Sequence, residues 1–488
     1  MIVVRRLGFV AKLKTKWDQI PIAVKVSIAY AVCSILQRCL SFITLPLFTR
    51  LLTTEQYGQY TVYQSWQGIL SIILTLNLAY GSFATAMVKF EKDRDGYISA
   101  VEGICLLLSL IFMAIYLPFR AFWNKVFELP TLFVILMVVG MLTSTATSLW
   151  CGKMRFQFKY KAVVALTICM SVTSPLLAYI LVMNTEEKGY ARILGYVGIT
   201  IIVGLFFYFL NAIRGKKFLN KEYWKYALGF NLPLIPYYLS QVIFNQSDRI
   251  MISHMVSTGK AAIYGVAYAL ATLLTFVLNA INNSYIPWYY GKIKDGKPEE
   301  NRKVSMGIAL IMGILLLGVI WFTPEIIKIM AAPEYYEAIH VVPPVAVSIF
   351  LLLYSQFFIN VEFYYEEKLS LVWASIAAAV ANLVLNWIFI KIYGYVAAAY
   401  TTLFSYILFA FANYLAMKKV LKRRNIEDNA YNYKWLILLF LGFCVMTAIG
   451  ALLYNYLIVR IIVMGVIFAI AVIKRNTLLN FYKIIKNK

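Results

Sequence analysis

The sequence predicts an all-α integral membrane protein of about fourteen transmembrane helices. Three observations predict it. Apolar residues make up 62% of the 488 positions and the mean hydropathy is +0.74, more than a soluble core of this length can bury. Apolar runs of about 20 residues, long enough to cross the hydrocarbon as helix, recur along the chain. Lys and Arg gather on alternate loops between those runs, as they do on cytoplasmic loops.

The spans are predicted at 22 to 48, 60 to 88, 98 to 118, 128 to 150, 162 to 183, 190 to 212, 227 to 255, 261 to 287, 304 to 326, 338 to 362, 369 to 391, 393 to 416, 435 to 455 and 457 to 473. The first follows a basic stretch, residues 1 to 21, and is too long for a signal-peptide core, so it reads as an uncleaved helix with a cytosolic N-terminus. The same orientation makes 213 to 226 and 417 to 434 cytosolic loops and 474 to 488 a basic cytosolic tail. It leaves spans in three groups: 22 to 212, 227 to 416 and 435 to 473.

The net charge of +24 is spread over alternate loops and not over one face, which argues against nucleic acid as a partner. The cluster of Lys418, Lys419, Lys422, Arg423 and Arg424 suits anionic lipid headgroups and fixes topology. The six cysteines fall in spans or at cytosolic helix ends, so no disulfide is expected. Trp123, Trp224, Trp288, Trp321 and Trp435 lie near span ends and read as interfacial anchors. All loops are short, so function is expected between helices.

Polar stripes at helical spacing mark where. Ser27, Ser34, Arg38 and Ser41 share a face of the first span; Tyr60, Gln64, Gln67, Ser71 and Thr75 do so in the second. The seventh carries Asn231, Tyr238, Gln241, Asn245 and Asp248, and the eighth Tyr264, Tyr268, Thr272, Thr275, Asn279 and Asn282. The match of first with seventh and second with eighth is a sign of a six-helix repeat. Such residues either bond helix to helix or line a water-filled cavity, where hydroxyls and amides suit sugars.

Arg38 lies near mid-membrane, where a guanidinium facing lipid is expensive. It reads either as an anion site for phosphate or as half of a structural ion pair with Asp248. Asp248 is the only acidic residue placed well inside a span, and reads as an ion-coupling carboxylate or an arginine partner. Arg249 points about 100° away from it, toward phosphate or outward to the interface. Pro233 and Pro236 remove backbone donors and should break the seventh span, as a hinge would; Pro287 bends or ends the eighth.

Residues 45 to 60, LPLFTRLLTTEQYGQY, resemble the segment after the first helix in polysaccharide-export flippases of the multidrug/oligosaccharidyl-lipid/polysaccharide superfamily, at Pro46, Thr49, Arg50, Leu52, Thr53, Glu55, Tyr57 and Gly58. Leu232, Pro233, Ile235, Pro236, Asp248 and Arg249, with AIYGVAY from Ala262, resemble it too. Thr54 stands where a proline is usual and Ala262 where glycine is common. The resemblance implies two six-helix lobes in a V-shaped arrangement plus two C-terminal helices. It implies alternating-access export of a polyprenyl-pyrophosphate-linked oligosaccharide across a bacterial-type plasma membrane, for cell-surface polysaccharide biosynthesis.

On that reading Arg38, Arg249 and Arg50 contact the pyrophosphate, and Ser34, Ser41, Gln64, Gln67, Gln241, Asn245, Tyr264, Tyr268, Asn279 and Asn282 line the sugar cavity. No cofactor or metal is expected, beyond H+ or Na+ as coupling ion, and a polysaccharide polymerase and glycosyltransferases are the expected protein partners. Two alternatives stay open. One is a cation-coupled multidrug exporter of the same fold. The other is a membrane glycosyltransferase or polymerase, for which Asp93 and Asp95 form a DxD pair, but in a loop too small for a nucleotide sugar. His254 and His340 are the only histidines and lack metal-ligand spacing.

Overall fold

The computed structural model describes residues 22 to 367 and 369 to 473; the basic stretches predicted at 1 to 21 and 474 to 488 lie outside the described residues. Within them the chain is helical and contains no strand. In order the helices are α1 (Ile22–Leu51), α2 (Thr54–Thr75), α3 (Phe83–Lys89), α4 (Arg94–Tyr116), α5 (Arg120–Phe127), α6 (Thr131–Phe156), α7 (Tyr160–Met183), α8 (Lys188–Gly215), α9 (Lys221–Asn231), α10 (Ile235–Met255), α11 (Thr258–Ala271), α12 (Thr275–Lys294), α13 (Asn301–Trp321), α14 (Thr323–Met330), α15 (Val342–Tyr364), α16 (Leu369–Tyr393), α17 (Ala397–Arg423), α18 (Tyr433–Leu452) and α19 (Leu457–Ile473).

Side chains set several starts. Thr53 and Gln56 cap α2 reciprocally, each side chain accepting from the other's backbone N–H at 3.2 and 3.1 Å. Asp93, Asn220, Ser257 and Asn432 cap α4, α9, α11 and α18 by accepting from the N–H three residues on.

Twelve stretches among the described residues are long and apolar enough to cross a membrane. The expected fourteen are not all reached, for two physical reasons. Helix α2 carries Gln56, Gln59, Gln64 and Gln67, which lower its hydropathy, and α19 has only 17 residues. The second span also stops early. It was expected to run to 88, but Leu76 (φ 48°) and Asn77 (φ 52°) both take the left-handed conformation and end α2 at Thr75.

Other breaks follow the sequence. Pro233 and Pro236 flank a 3-10 turn, Leu232–Leu234, that separates α9 from α10. A second 3-10 turn, Thr272–Leu274, divides α11 from α12, where Thr272 donates back to the Tyr268 carbonyl at 2.8 Å and Thr275 to that of Thr272 at 2.6 Å. Pro287 does not end α12, which continues to Lys294.

Contacts divide the described chain into two compact units: residues 22 to 52 with Trp66–Ile235, and Thr53–Ser65 with residues 236 to 473. In unit 1, α8 packs against α4, α6 and α7, while α1 packs on α7. Its core joins Met87, Tyr97, Ile98, Val101, Ile104 and Leu149 to Ala227 of α9. In unit 2, α15 is the most enclosed helix and packs against α11, α13 and α17; α17 pairs with α16 across the turn at Gly394, whose φ of +74° favours glycine. The last helix is pinned by Arg460, 1% exposed, whose guanidinium donates to both Glu325 oxygens at 2.7 and 2.8 Å.

The first half of α2 belongs to unit 2, and the sequence motif there explains it. Glu55 Oε2 accepts the Gly259 N–H at 2.8 Å at the start of α11, Gly58 lets the Thr258 backbone approach closer than a Cβ would allow, and the Tyr57 ring meets Tyr335 edge-on at 5.8 Å. Three of the five tryptophans expected as interfacial anchors are instead held in protein: Trp321 donates to the Met446 carbonyl at 3.0 Å, Trp224 to that of Ala100 at 2.9 Å, and Trp288 is buried.

Candidate functional site

The most connected polar centre lies in unit 2 and forms around Asp248 on α10, which is 1% exposed. Its Oδ2 accepts the Tyr264 hydroxyl of α11 at 2.6 Å and the Thr402 hydroxyl of α17 at 2.8 Å; its Oδ1 accepts the Asn386 amide of α16 at 2.6 Å. Four helices therefore meet on one carboxylate through neutral donors. Interhelical bonds of this kind contribute about 0.6–1.7 kcal/mol each in a membrane protein. Asn382, one turn before Asn386 on the same face, accepts from Asn386 at 3.2 Å and donates to Thr402 at 3.2 Å, and Ser247 donates to it at 3.4 Å. Thr401 donates to the Asn386 side-chain oxygen. The cluster is rich in oxygen acceptors of the kind that hold a proton or a hard cation.

Arg249, next in sequence, points to a different neighbourhood. Its guanidinium donates to Gln246 Oε1 at 2.7 Å and to the Asn245 carbonyl at 3.0 Å, and lies 4.5 Å above the Tyr268 ring. Tyr268 donates to Asn245 Oδ1 at 3.0 Å, and Ser65 of α2 donates to Gln246 Oε1 at 3.4 Å. Gln241, one turn before Asn245, donates to Ser375 on α16 at 2.9 Å. The stripes of the seventh and eighth spans thus bring Gln241, Asn245, Asp248, Arg249, Tyr264 and Tyr268 into one connected region of unit 2.

The other candidates of unit 2 bond to different partners or are exposed. Gln64 donates to Tyr60 at 2.6 Å, Asn282 accepts from Asn360 at 2.8 Å, and Asn279 is exposed. Gln67 is half-buried in unit 1. On α1, Ser34, Arg38 and Ser41 are all exposed, so the polar face of that helix is not packed within unit 1; Ser41 donates back to the Gln37 carbonyl at 3.0 Å. Arg50, exposed in the last turn of α1, sits where a cation also complements the helix dipole. Pro233 and Pro236 stand at the α9–α10 break.

The DxD pair does structural work. Asp93 caps α4 and accepts from Lys217 at 2.6 Å and from Tyr223 at 2.5 Å, while Asp95 pairs with Lys153 at 2.5 Å. No cluster of His, Cys, Asp and Glu suited to a metal occurs among the described residues.

Asp248 is not the only acidic residue well inside a span, contrary to the sequence expectation: Glu102 lies well within α4. Glu102 of α4 and Glu362 of α15 are each 1% exposed. Glu102 escaped notice because the third span was placed from 98, near which it reads as interfacial, whereas α4 starts at Arg94. Asn382 and Asn386 were not among the expected residues; two asparagines at i, i+4 in an otherwise apolar run were the available signal.

Comparison with known proteins follows the same lines. Residues 23–290 match the family model described as polysaccharide biosynthesis protein. Over 364 residues, 70% of this chain and 85% of the relative, the chain is 25% identical to the Lsg locus putative protein 1 of Haemophilus influenzae. In fold it is similar to the lipid II flippase MurJ in an inward closed conformation, with a TM-score of 0.64 and 14% identity over 92% of this chain and 99% of that one. It is likewise similar to a multidrug resistance MATE family transporter of the MOP superfamily in an inward-facing conformation, with a TM-score of 0.63 and 14% identity over 82% and 98%. The fold is that of membrane transporters.

Proposed function

Because the chain belongs to the polysaccharide biosynthesis protein family, we propose that it is a flippase that moves a polyprenyl-pyrophosphate-linked oligosaccharide from the cytosolic to the outer leaflet of a bacterial plasma membrane, with both termini cytosolic. The observation that carries this reading is Arg38: an exposed arginine in an apolar membrane-spanning helix, flanked on its face by exposed Ser34 and Ser41. Exposure to lipid there is costly, so the face meets water or a polar ligand, and a planar five-donor cation suits a diphosphate. Arg50, in the same unit, supplies further positive charge; within unit 2, Arg249 and the amides and hydroxyls of the α10–α11 stripes suit phosphate and sugar hydroxyls. The prenyl chain stays in lipid.

Transport follows alternating access, in which the helix breaks at Pro233 and Pro236 and at Thr272–Leu274 absorb the change of backbone. A lipid-linked headgroup differs little in free energy between leaflets, so directed export needs an ion gradient, a membrane potential or consumption of product. Asp248 is assigned the coupling role for H+ or Na+, since its carboxylate ties four helices and any change in its occupancy is felt by all of them.

A drug exporter of the same fold remains the second reading, and TM-scores of 0.64 and 0.63 do not separate the two. Arg38 does, because a guanidinium repels a cationic drug. Reconstitution in liposomes tests the choice. A flippase renders a lipid-linked oligosaccharide accessible to an external probe; efflux of a cationic dye without lipid movement supports the exporter, and sugar transfer from a nucleotide donor supports an enzyme.

A further inference from the structure

Glu102 is a buried acid that none of these roles uses. Its Oε1 accepts the Asn211 amide of α8 at 2.8 Å, and that amide also donates to the Ala146 carbonyl of α6 at 3.2 Å. Its Oε2 is buried without a hydrogen-bond partner, and so is the hydroxyl of Ser99, three residues earlier on the same face of α4. Two buried polar atoms of α4 are thus orphaned inside unit 1. Glu102 forms no ion pair among the described residues.

Among the described residues, none of the surrounding charges pairs with Glu102. The titratable groups that face Glu102 are Cys105 on its own helix and Tyr208 on α8, and neither is a cation. Lys153 of α6 is bonded to Asp95, two helical turns toward the start of α4. Lys217 and Tyr223 of the α8–α9 region are bonded to Asp93, and Arg94 to Glu91. Lys89, at the end of α3, lies over the Tyr226 ring of α9. Arg214 of α8 and Lys221, Glu222 and Lys225 of α9 are exposed.

An ionised carboxylate in this place would keep one bond from a neutral amide and no counter-charge, at a cost of several kcal/mol. The neutral acid fits: Oε1 serves as the carbonyl that accepts from Asn211, and a hydrogen on Oε2 removes the uncompensated charge. We propose that Glu102 and Asn211 form a proton-binding site inside unit 1, separate from Asp248. Glu102 carries a proton on Oε2 in this conformation and releases it when the packing of α4 against α8 loosens and admits water. Release breaks the O–H bond, leaves its electron pair on the carboxylate and passes the proton to water. The consequence for transport, a proton dependence set within this unit, rests on the flippase reading; the site itself does not.

Infrared spectroscopy of the full chain in liposomes tests it without any transport assay. At neutral pH the wild-type spectrum is expected to contain a protonated-carboxyl C=O band that is lost in Glu102→Gln. If that variant does not fold, Asn211→Leu removes the donor to Oε1, and the same band moves to higher frequency. Loss of carboxylate bands in Glu102→Gln, or a protonated-carboxyl region unchanged by either substitution, overturns the proposal.

Discussion

The carboxylate of Glu55, in the first turn of α2, accepts the backbone N–H of Gly259 at 2.8 Å and so caps a helix 204 residues away in sequence. A charged cap on an otherwise orphaned helix N–H contributes about 1–2 kcal/mol. Glu55→Ala is therefore expected to lower stability in detergent by that amount, and Gly58→Ala by more, because its Cβ would strike the Thr258 carbonyl. Thermal unfolding of the purified variants checks both; unchanged transitions would show the contact to be dispensable.

Asp248 holds three hydroxyl and amide donors from three other helices. Replacement by Leu leaves those buried donors without an acceptor, at about 1–3 kcal/mol apiece, and should destabilise the protein markedly. Asp248→Asn keeps the size and one acceptor oxygen, so it should insert and fold while transport loses its dependence on the H+ or Na+ gradient. Gradient-dependent flipping that survives Asp248→Asn contradicts the coupling role.

Acid should loosen a second contact. The Lys260 ammonium bonded to Glu337 holds that carboxyl below its ordinary value, with the Tyr395 hydroxyl donating at 3.0 Å. A depressed carboxyl stabilises the fold fully above the unfolded value of about 4.3 and loses that contribution as pH falls through the folded value. Glu337→Gln should flatten the fall in melting temperature below about pH 4.3 and leave neutral-pH stability little changed, since the pair is partly exposed. A wild-type acid profile retained in Glu337→Gln would count against this.

Arg460 is the pin of the last helix, bonded to both oxygens of Glu325 and to the Tyr454 carbonyl at 3.0 Å. Arg460→Met leaves Glu325 without its partner and is expected to cost about 3 kcal/mol, with α19 becoming cleavable by protease while the rest resists. Uniform resistance along the chain would place the stability elsewhere.

The apolar runs made the helices legible, and Pro233 and Pro236 announced the break before α10, because both signals are local. The left-handed Leu76 was not legible: leucine carries no preference for that conformation, and tertiary packing imposes it. The stripes of the seventh and eighth spans pointed to residues that bond one another, Asp248 with Tyr264 and Asn245 with Tyr268. The other half of that cluster, Asn382, Asn386 and Thr402, was hidden. An asparagine or threonine in an apolar helix looks like any interhelical bond until the fold shows where it ends. Glu102 was hidden by a span boundary set four residues late.

The proposed role of the Arg38 face is to receive a diphosphate. Transbilayer movement of a polyprenyl-pyrophosphate-linked oligosaccharide should be compared among wild type, Arg38→Lys and Arg38→Ala at equal protein density in liposomes. That role requires that Arg38→Ala abolish flipping with insertion intact and that Arg38→Lys retain part of it, since the charge stays and the planar fork is lost. Wild-type rates in Arg38→Ala would contradict it.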